Sequence, residues 1–294
     1  MPRDRYDDED DDDRDDRPRR RRRRDDDDDF DRRPRPKAGG GGKTVFIVLA
    51  IVGVSLLVVC GGGLALLWPV FERMGTTGAR IQSQNNLKMT GLAEYNFESS
   101  TMSFSRPFLD TDEQGNQLQP PSDPANRLSW RVAMLPYTGD PECSSAYRRF
   151  NIREPWNSPT NAPLKDTPIR AYRHPLDAKE KGEPVTRTRC FYDNGALFDA
   201  KPHARVSVIQ ISDGTSNTLM FVESADAVTW TAFNDFRYSP NTPLPTFGHP
   251  KVTGGFNALM ADGSVRFMSH KVQERTLRQL ITRADGEVIT DPNW

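Results

Sequence analysis

Two clusters of residues in this chain carry side chains able to do chemistry. His249 and Asp262 have the types needed for an acid–base pair, and Glu223 is a further carboxylate that could join them in one cleft. Such chemistry requires convergence within hydrogen-bond reach and a nucleophile or activated water, and no local pattern signals either. Asp262-Gly263 also explains itself as a turn, the carboxylate bonding nearby backbone and the glycine accepting positive φ. The second cluster is Asp213-Gly214-Thr215-Ser216-Asn217-Thr218, whose carboxylate, hydroxyl and amide oxygens suit a hard cation such as calcium. The same residues, Asp213, Gly214, Ser216 and Asn217 above all, equally make an Asx turn leading into a strand.

Other residue types give less. Trp130, Trp156 and Trp230 can line a carbohydrate or peptide groove, although large aromatics are more often packed in a core. Cys143 and Cys190 form an even pair that permits a disulfide. Histidines at 174, 203, 249 and 270, with no Cys-x-x-Cys, show no zinc-ligand spacing, so no cofactor is expected beyond the calcium option.

The elements that position these residues follow from apolar periodicity. Leu128–Tyr137 is apolar and β-prone, and Ser145–Phe150 suits a helical turn. Val206, Val208, Ile209 and Ile211 read as a strand, Thr218–Glu223 as the next, and Phe256–Met260 with Ser264–Met268 as a hairpin about Ala261-Asp262-Gly263. Leu277, Leu280 and Ile281 fall at helical spacing within Gln273–Thr282.

Ahead of this β-rich part, Val45–Trp68 contains no charged residue. At ~1.5 Å per residue it reaches about 36 Å, against a hydrocarbon core of roughly 30 Å, so it reads as a single transmembrane helix. Pro69 should kink it and Gly75-Thr76-Thr77-Gly78 weaken it, but Val70, Met74, Ile81, Leu92 and Tyr95 continue a helical face to about Asn96. Leu57-Val58-Val59-Cys60-Gly61 has the outline of a lipidation site, with bulky Val59 where a small residue belongs; Cys60 is more simply an apolar residue of the span.

Residues 1–43 hold almost no apolar side chains and alternate in charge blocks: Asp7–Asp13 acidic, Arg17–Arg24 basic, Asp25–Asp31 acidic, Arg32–Lys37 basic. They read as a solvated, disordered tail, in which Arg19–Arg24 can meet anionic lipid headgroups or RNA while flanking aspartates compete for the same charges. The basic residues just before the span place this tail in the cytoplasm and the C-terminal part outside it, in the periplasm or another extracytoplasmic space. The whole chain carries 40 Lys and Arg against 41 Asp and Glu, a net charge of −1 that gives no support for a nucleic-acid footprint over the folded part, and no nucleic-acid partner is expected. The expected organisation is a tail at 1–43, a transmembrane helix at 44–68, its continuation at 69–98 and an exported β-rich domain at 99–294.

Several segments together are familiar: Gln84-Asn85-Asn86-Leu87-Lys88 with Gly91-Leu92, Ser129-Trp130-Arg131-Val132 with Leu135-Pro136-Tyr137, Glu154-Pro155-Trp156-Asn157-Ser158-Pro159, Asp213–Thr218, and Asn257–Phe267. In this combination the chain resembles bacterial prepilin-like proteins with a C-terminal H-x9-D-G domain of unknown function. The resemblance implies an α+β fold: a long N-terminal transmembrane helix continuing into a pilin-like helix packed on a mainly antiparallel β domain. Two departures matter. No prepilin leader stands at Gly42-Lys43-Thr44-Val45-Phe46, and the span has no glutamate, so the helix is expected to stay as an anchor in the inner membrane. Twelve residues separate His249 from Asp262 instead of nine, which reads as an insertion of Lys251-Val252-Thr253.

The function expected is non-enzymatic: an anchored, pseudopilin-like cell-envelope protein that is structural or binds an envelope partner. A processed pseudopilin of a secretion apparatus and an anchored hydrolase or sugar-binding protein are the alternatives.

Overall fold

The computed structural model describes residues 41–112, 116–119, 122–177, 184–202, 204–292 and 294; for residues 41 and 57–74 it describes the backbone alone. The tail at 1–40, with its charge blocks, and His203 lie outside the described residues. Two compact units are present, Met1–Cys60 and Gly61–Trp294.

Helix α1 spans Gly41–Thr101. It continues as helix through Pro69 and through Gly75-Thr76-Thr77-Gly78. In the first unit Val45, Phe46, Ile47, Leu49, Val52, Val54 and Leu56 all stand exposed, Phe46 at 80%. Among the described residues no helix is long and apolar enough to cross a membrane. The expected span Val45–Trp68 lies on α1, and its side chains from Leu57 onward are outside the described residues.

The second unit is a mixed α+β domain built on an antiparallel sheet of order β1-β3-β5-β6, with β1 Val185–Arg189, β3 Leu219–Thr229, β5 Gly255–Met260 and β6 Val265–Ser269. A second, two-stranded parallel sheet joins β2 Phe191–Tyr192 to β4 Phe236–Arg237. Strand β5 shows why the sheet needs two covers. Its residues are all buried, and their side chains alternate between faces. Phe256, Ala258 and Met260 join a core with Leu219, Val222, Leu280 and Ile281, the last two from α4 (Glu274–Ile281). Leu259 points the other way, into a core with Leu87, Ala93 and Phe97 of α1, Trp130 and Phe221. Trp130 stacks on Phe221 with ring centroids 4.2 Å apart.

Close approach at two glycines fixes these covers. A Cβ on Gly91 of α1 would meet Leu259 Cδ2 at 2.8 Å, so the helix sits directly on β5. At Gly255 a Cβ would fall 2.1 Å from the Met268 carbonyl oxygen of the paired strand, which leaves no room for any other residue.

The α1 interface also buries charge-bearing groups. Glu94 is completely inaccessible and accepts hydrogen bonds from the Ser105 amide (2.6 Å) and hydroxyl (2.9 Å). Burial, only partly offset by these bonds, raises its pKa to about 7. A raised carboxyl holds its proton in the folded chain while the unfolded chain loses it, so stability is lost as pH rises from about 4.5 to about 7. Glu94→Gln mimics the protonated acid. Its stability should match wild type below pH 4.5 and exceed it at pH 8 by about 3 kcal/mol, roughly 6–12 °C in melting temperature. Thermal melts across that range check this, and a pH-independent difference would refute it.

Two local expectations need correction. Val206–Ile211 is no strand but a loop with a 3-10 turn, Val208–Gln210. Ser207 and Gln210 form a capping box that starts the turn, and Ile209 is 93% exposed, so the apolar run never alternates against the sheet. Leu128–Tyr137 is likewise not a strand. Ser129 Oγ accepts from the Arg131 amide and caps α2 (Trp130–Met134), followed by a 3-10 turn at Leu135–Tyr137. The expected turn near Ser145 is α3, Pro141–Tyr147. β3, the β5–β6 hairpin and α4 form where expected.

Candidate functional site

A set of buried ionisable groups gathers where α1 crosses the sheet, and two copies of one local device build it. His174-Pro175-Leu176-Asp177 and His249-Pro250-Lys251-Val252 each fold into a turn. The carbonyl of the histidine accepts the amide three residues on, from Asp177 (3.1 Å) and from Val252 (2.8 Å). The proline has no N–H to give, and the next amide bonds the histidine's own Nδ1: Leu176 N at 3.2 Å from His174 and Lys251 N at 3.0 Å from His249. The two imidazoles stack face to face, centroids 4.5 Å apart and planes 16° from parallel.

Because each Nδ1 accepts a backbone N–H, each neutral ring carries its proton on Nε2. His249 Nε2 faces Asp177 Oδ1 at 3.2 Å. Asp177 is also gripped by Arg187 of β1, Nε to Oδ2 at 2.8 Å and Nη2 to Oδ1 at 2.9 Å, while Arg187 Nη1 bonds the Ala225 carbonyl of β3. His174 Nε2 is buried 3.8 Å from Glu223 Oε1, beyond hydrogen-bond length. Glu223 in turn accepts from Ser83 Oγ of α1 and from Asn257 N (3.1 Å) and Nδ2 (3.2 Å) of β5. Gln84 Nε2 donates to Asn257 Oδ1 at 3.1 Å, and Asn86 Nδ2 to the Arg173 carbonyl at 2.9 Å. Side chains 83, 84 and 86 of α1 are thus bolted to two strands and to the first His-Pro turn. A cavity of about 10 Å³ lies between Ser83, Asn86, His174 and Glu223, room for about one water.

The electrostatics follow from this burial. Burial lowers His174 to about 4, helped by the neighbouring His249, and burial with the Arg187 charge also lowers His249. Burial alone would raise Asp177, but the hydrogen bonds and charge of Arg187 hold its carboxyl below the ordinary range. Glu223 is raised by burial, against its Ser83 and Asn257 bonds. The neutral pair of imidazoles beside an Asp–Arg ion pair is therefore the resting state at neutral pH.

His174, Asp177 and His249 offer ligand atoms within 4.8 Å of one another, the one such group among the described residues. They do not fit a shared metal ion. Nearly parallel ring planes do not converge on a common point, whereas each imidazole must hold a metal in its own plane. Their Nδ1 atoms accept backbone protons where a ligating histidine would donate one. Both carboxylate oxygens of Asp177 are already bonded to Arg187.

The residues singled out in the sequence are dispersed. Asp262 is exposed in the β5–β6 turn, where its Oδ1 accepts from Ser264 N at 2.8 Å and Gly263 takes φ +80°. His249 is buried against Asp177 instead, so the two do not form an acid–base pair. Glu223 belongs to the His174 cluster and Asp262 does not. The Asp213 carboxylate accepts the amides of Asp285 (2.7 Å) and Gly286 (2.9 Å), while Asn217 Nδ2 bonds the Asp213 carbonyl at 3.1 Å and Thr218 Oγ1 the Gly214 carbonyl. Ser216 sits in the 3-10 turn Thr215–Asn217. With both carboxylate oxygens turned to N–H donors, this motif clasps the C-terminal segment and does not fit a calcium ion. Cys143 and Cys190 are free, buried thiols. Trp130 and Trp230 are core residues, and Trp156 packs against that core with its Nε1 on the Ala125 carbonyl, so the three line no common groove.

Sequence reasoning missed His174, Asp177 and Arg187. Their one visible signal is the repeated His-Pro dipeptide at 174–175 and 249–250.

The fold and this polar clasp define the class: an α+β domain in which a long N-terminal helix is fastened across an antiparallel sheet. Residues 79–204, which run from the docked part of α1 through the first His-Pro turn and β1, match the family described as protein of unknown function (DUF1559). No curated protein and no solved structure matches the chain.

Proposed function

We propose that the protein is a non-enzymatic, single-pass, pseudopilin-like protein of the cell envelope, anchored in the inner membrane by Val45–Trp68, with its C-terminal domain outside the cytoplasm serving a structural or partner-binding role. The observation that carries the anchor is the exposure of large apolar side chains all round α1 from Val45 to Leu56, a surface that water does not tolerate and lipid does. Support for a non-catalytic role comes from the buried cluster. Its carboxylates are spent on Arg187, on His249 and on fastening α1, and the adjoining cavity admits no more than about one water.

The test is extraction of membranes holding the full chain with alkaline carbonate, then detergent, followed by intact mass. The anchored reading expects the chain in the carbonate pellet, released by detergent, with the mass of residues 1–294. Recovery in the carbonate wash would overturn the anchor, and a mass lacking the tail would favour the processed pseudopilin.

A further inference from the structure

We propose that the paired His-Pro turns form an acid-released latch, in which protonation of His174 and His249 at Nδ1 breaks both turns and frees the Ser83–Asn86 segment of α1 from the sheet. The argument starts from where a proton can go. Nε2 of each ring already carries one, so the sole lone pair is on Nδ1, and that lone pair is accepting Leu176 N or Lys251 N. A proton there turns an acceptor into a donor facing a donor. The hydrogen bond is lost and replaced by repulsion, and the turn must open.

The groups around the rings do not offset this. The first turn contributes Asp177, β1 contributes Arg187, β3 Glu223 and the second turn Lys251, while α1 and β5 present only the uncharged Ser83, Asn86 and Asn257. Asp177 favours an imidazolium, but Arg187 cancels its charge in a bidentate pair. Glu223, 3.8 Å from His174 Nε2, attracts a protonated ring without restoring the bond lost at Nδ1. Two stacked imidazolium ions 4.5 Å apart repel each other as well.

Opening reaches α1 through named contacts. The Arg173 carbonyl, beside His174, holds Asn86. Next to His249, the Gly248 amide bonds the Glu223 carbonyl at 2.7 Å, and the Glu223 carboxylate holds Ser83. With His174 at about 4 when latched and near 6.5 when free, linkage gives a rise in the opening equilibrium on the order of 50-fold between pH 7.5 and pH 4.5. This mechanism stands whether or not Val45–Trp68 is an anchor.

The experiment is hydrogen–deuterium exchange of the full chain in detergent micelles at pH 7.5 and 4.5, with rates corrected for intrinsic exchange. The comparison is His174→Asn with His249→Asn, since asparagine Oδ1 replaces Nδ1 as acceptor and does not titrate. Expected is a rise on the order of 50-fold in opening over 83–90, 173–177 and 248–252 in wild type, and none in the double variant. Equal protection at both pH values in wild type, or equal acid opening in the variant, overturns the latch. If the variant does not fold, nuclear magnetic resonance titration of wild type decides. Both rings should titrate well below 6.5 together with the Leu176 and Lys251 amides; titration near 6.5 with those amides unmoved overturns it.

Discussion

Asp235→Ala should cost the domain about 3–5 kcal/mol, roughly 6–20 °C in melting temperature. The reason is the geometry around its partner. Arg131 and Asp235 are both 0% exposed as side chains, with Nη2 to Oδ1 at 3.0 Å and Nη1 to Oδ2 at 3.2 Å. Arg131 also reaches Ser129 Oγ at 2.6 Å and the Thr188 carbonyl at 3.1 Å, and Asp235 Oδ1 accepts the Cys190 amide at 2.9 Å. The pair thus joins α2, the end of β1 and the start of β4. Removing the carboxylate leaves a guanidinium buried without a counter-charge, which is far costlier than never having buried either group. Arg131→Met should be comparably harmful. The double variant Arg131→Met with Asp235→Leu should recover part of the loss, because hydrophobic residues of similar volume need no counter-charge. Thermal melts of the three variants check this. Additive losses, or an Asp235→Ala protein within about 2 °C of wild type, would contradict a coupled buried pair.

Val54→Asp combined with Leu56→Asp should move the full chain from the carbonate-resistant membrane pellet into the wash. Each carboxylate near the middle of a span costs about 2.5–3.5 kcal/mol, so the pair opposes insertion by about 5–7 kcal/mol. Both positions are exposed on α1 and face away from any core of the protein, so the change acts on what surrounds the helix and leaves the domain's packing alone. The domain's melting temperature serves as the control and should not move. A double variant that pellets like wild type would rule out lipid as the medium around Val45–Leu56.

What sequence could and could not show is clear from particular residues. Leu277, Leu280 and Ile281 announced α4, and Asp262-Gly263 announced the β5–β6 turn, because a helical period and a two-residue turn are local properties. The run Val206–Ile211 misled because only Val206 and Ile211 reach the core; the two apolar residues between them sit on a solvent-facing 3-10 turn. In the clasp, His174 and Asp177 lie 72 or more residues from His249, and Ser83 lies 140 from Glu223. No spacing rule connects such positions. Gln84 and Asn86 stand out in the sequence only through a family resemblance, yet their role as bolts into β5 and the Arg173 carbonyl is a property of the tertiary structure alone.

The fastening of α1 also sets an order of events during synthesis. Gln84 meets Asn257, Tyr95 donates its hydroxyl to the Ala261 carbonyl, and Gly91 rests on Leu259, partners separated by more than 160 residues of chain. As the polypeptide emerges from its N-terminus, the inner stripe of α1 with Leu87 and Ala93 stays uncovered until β5 arrives. Contacts of such high sequence separation form late and slowly. Any machinery that shields nascent chains therefore has its longest task at this helix, and a truncation before residue 255 strands α1 without the strand it lies upon.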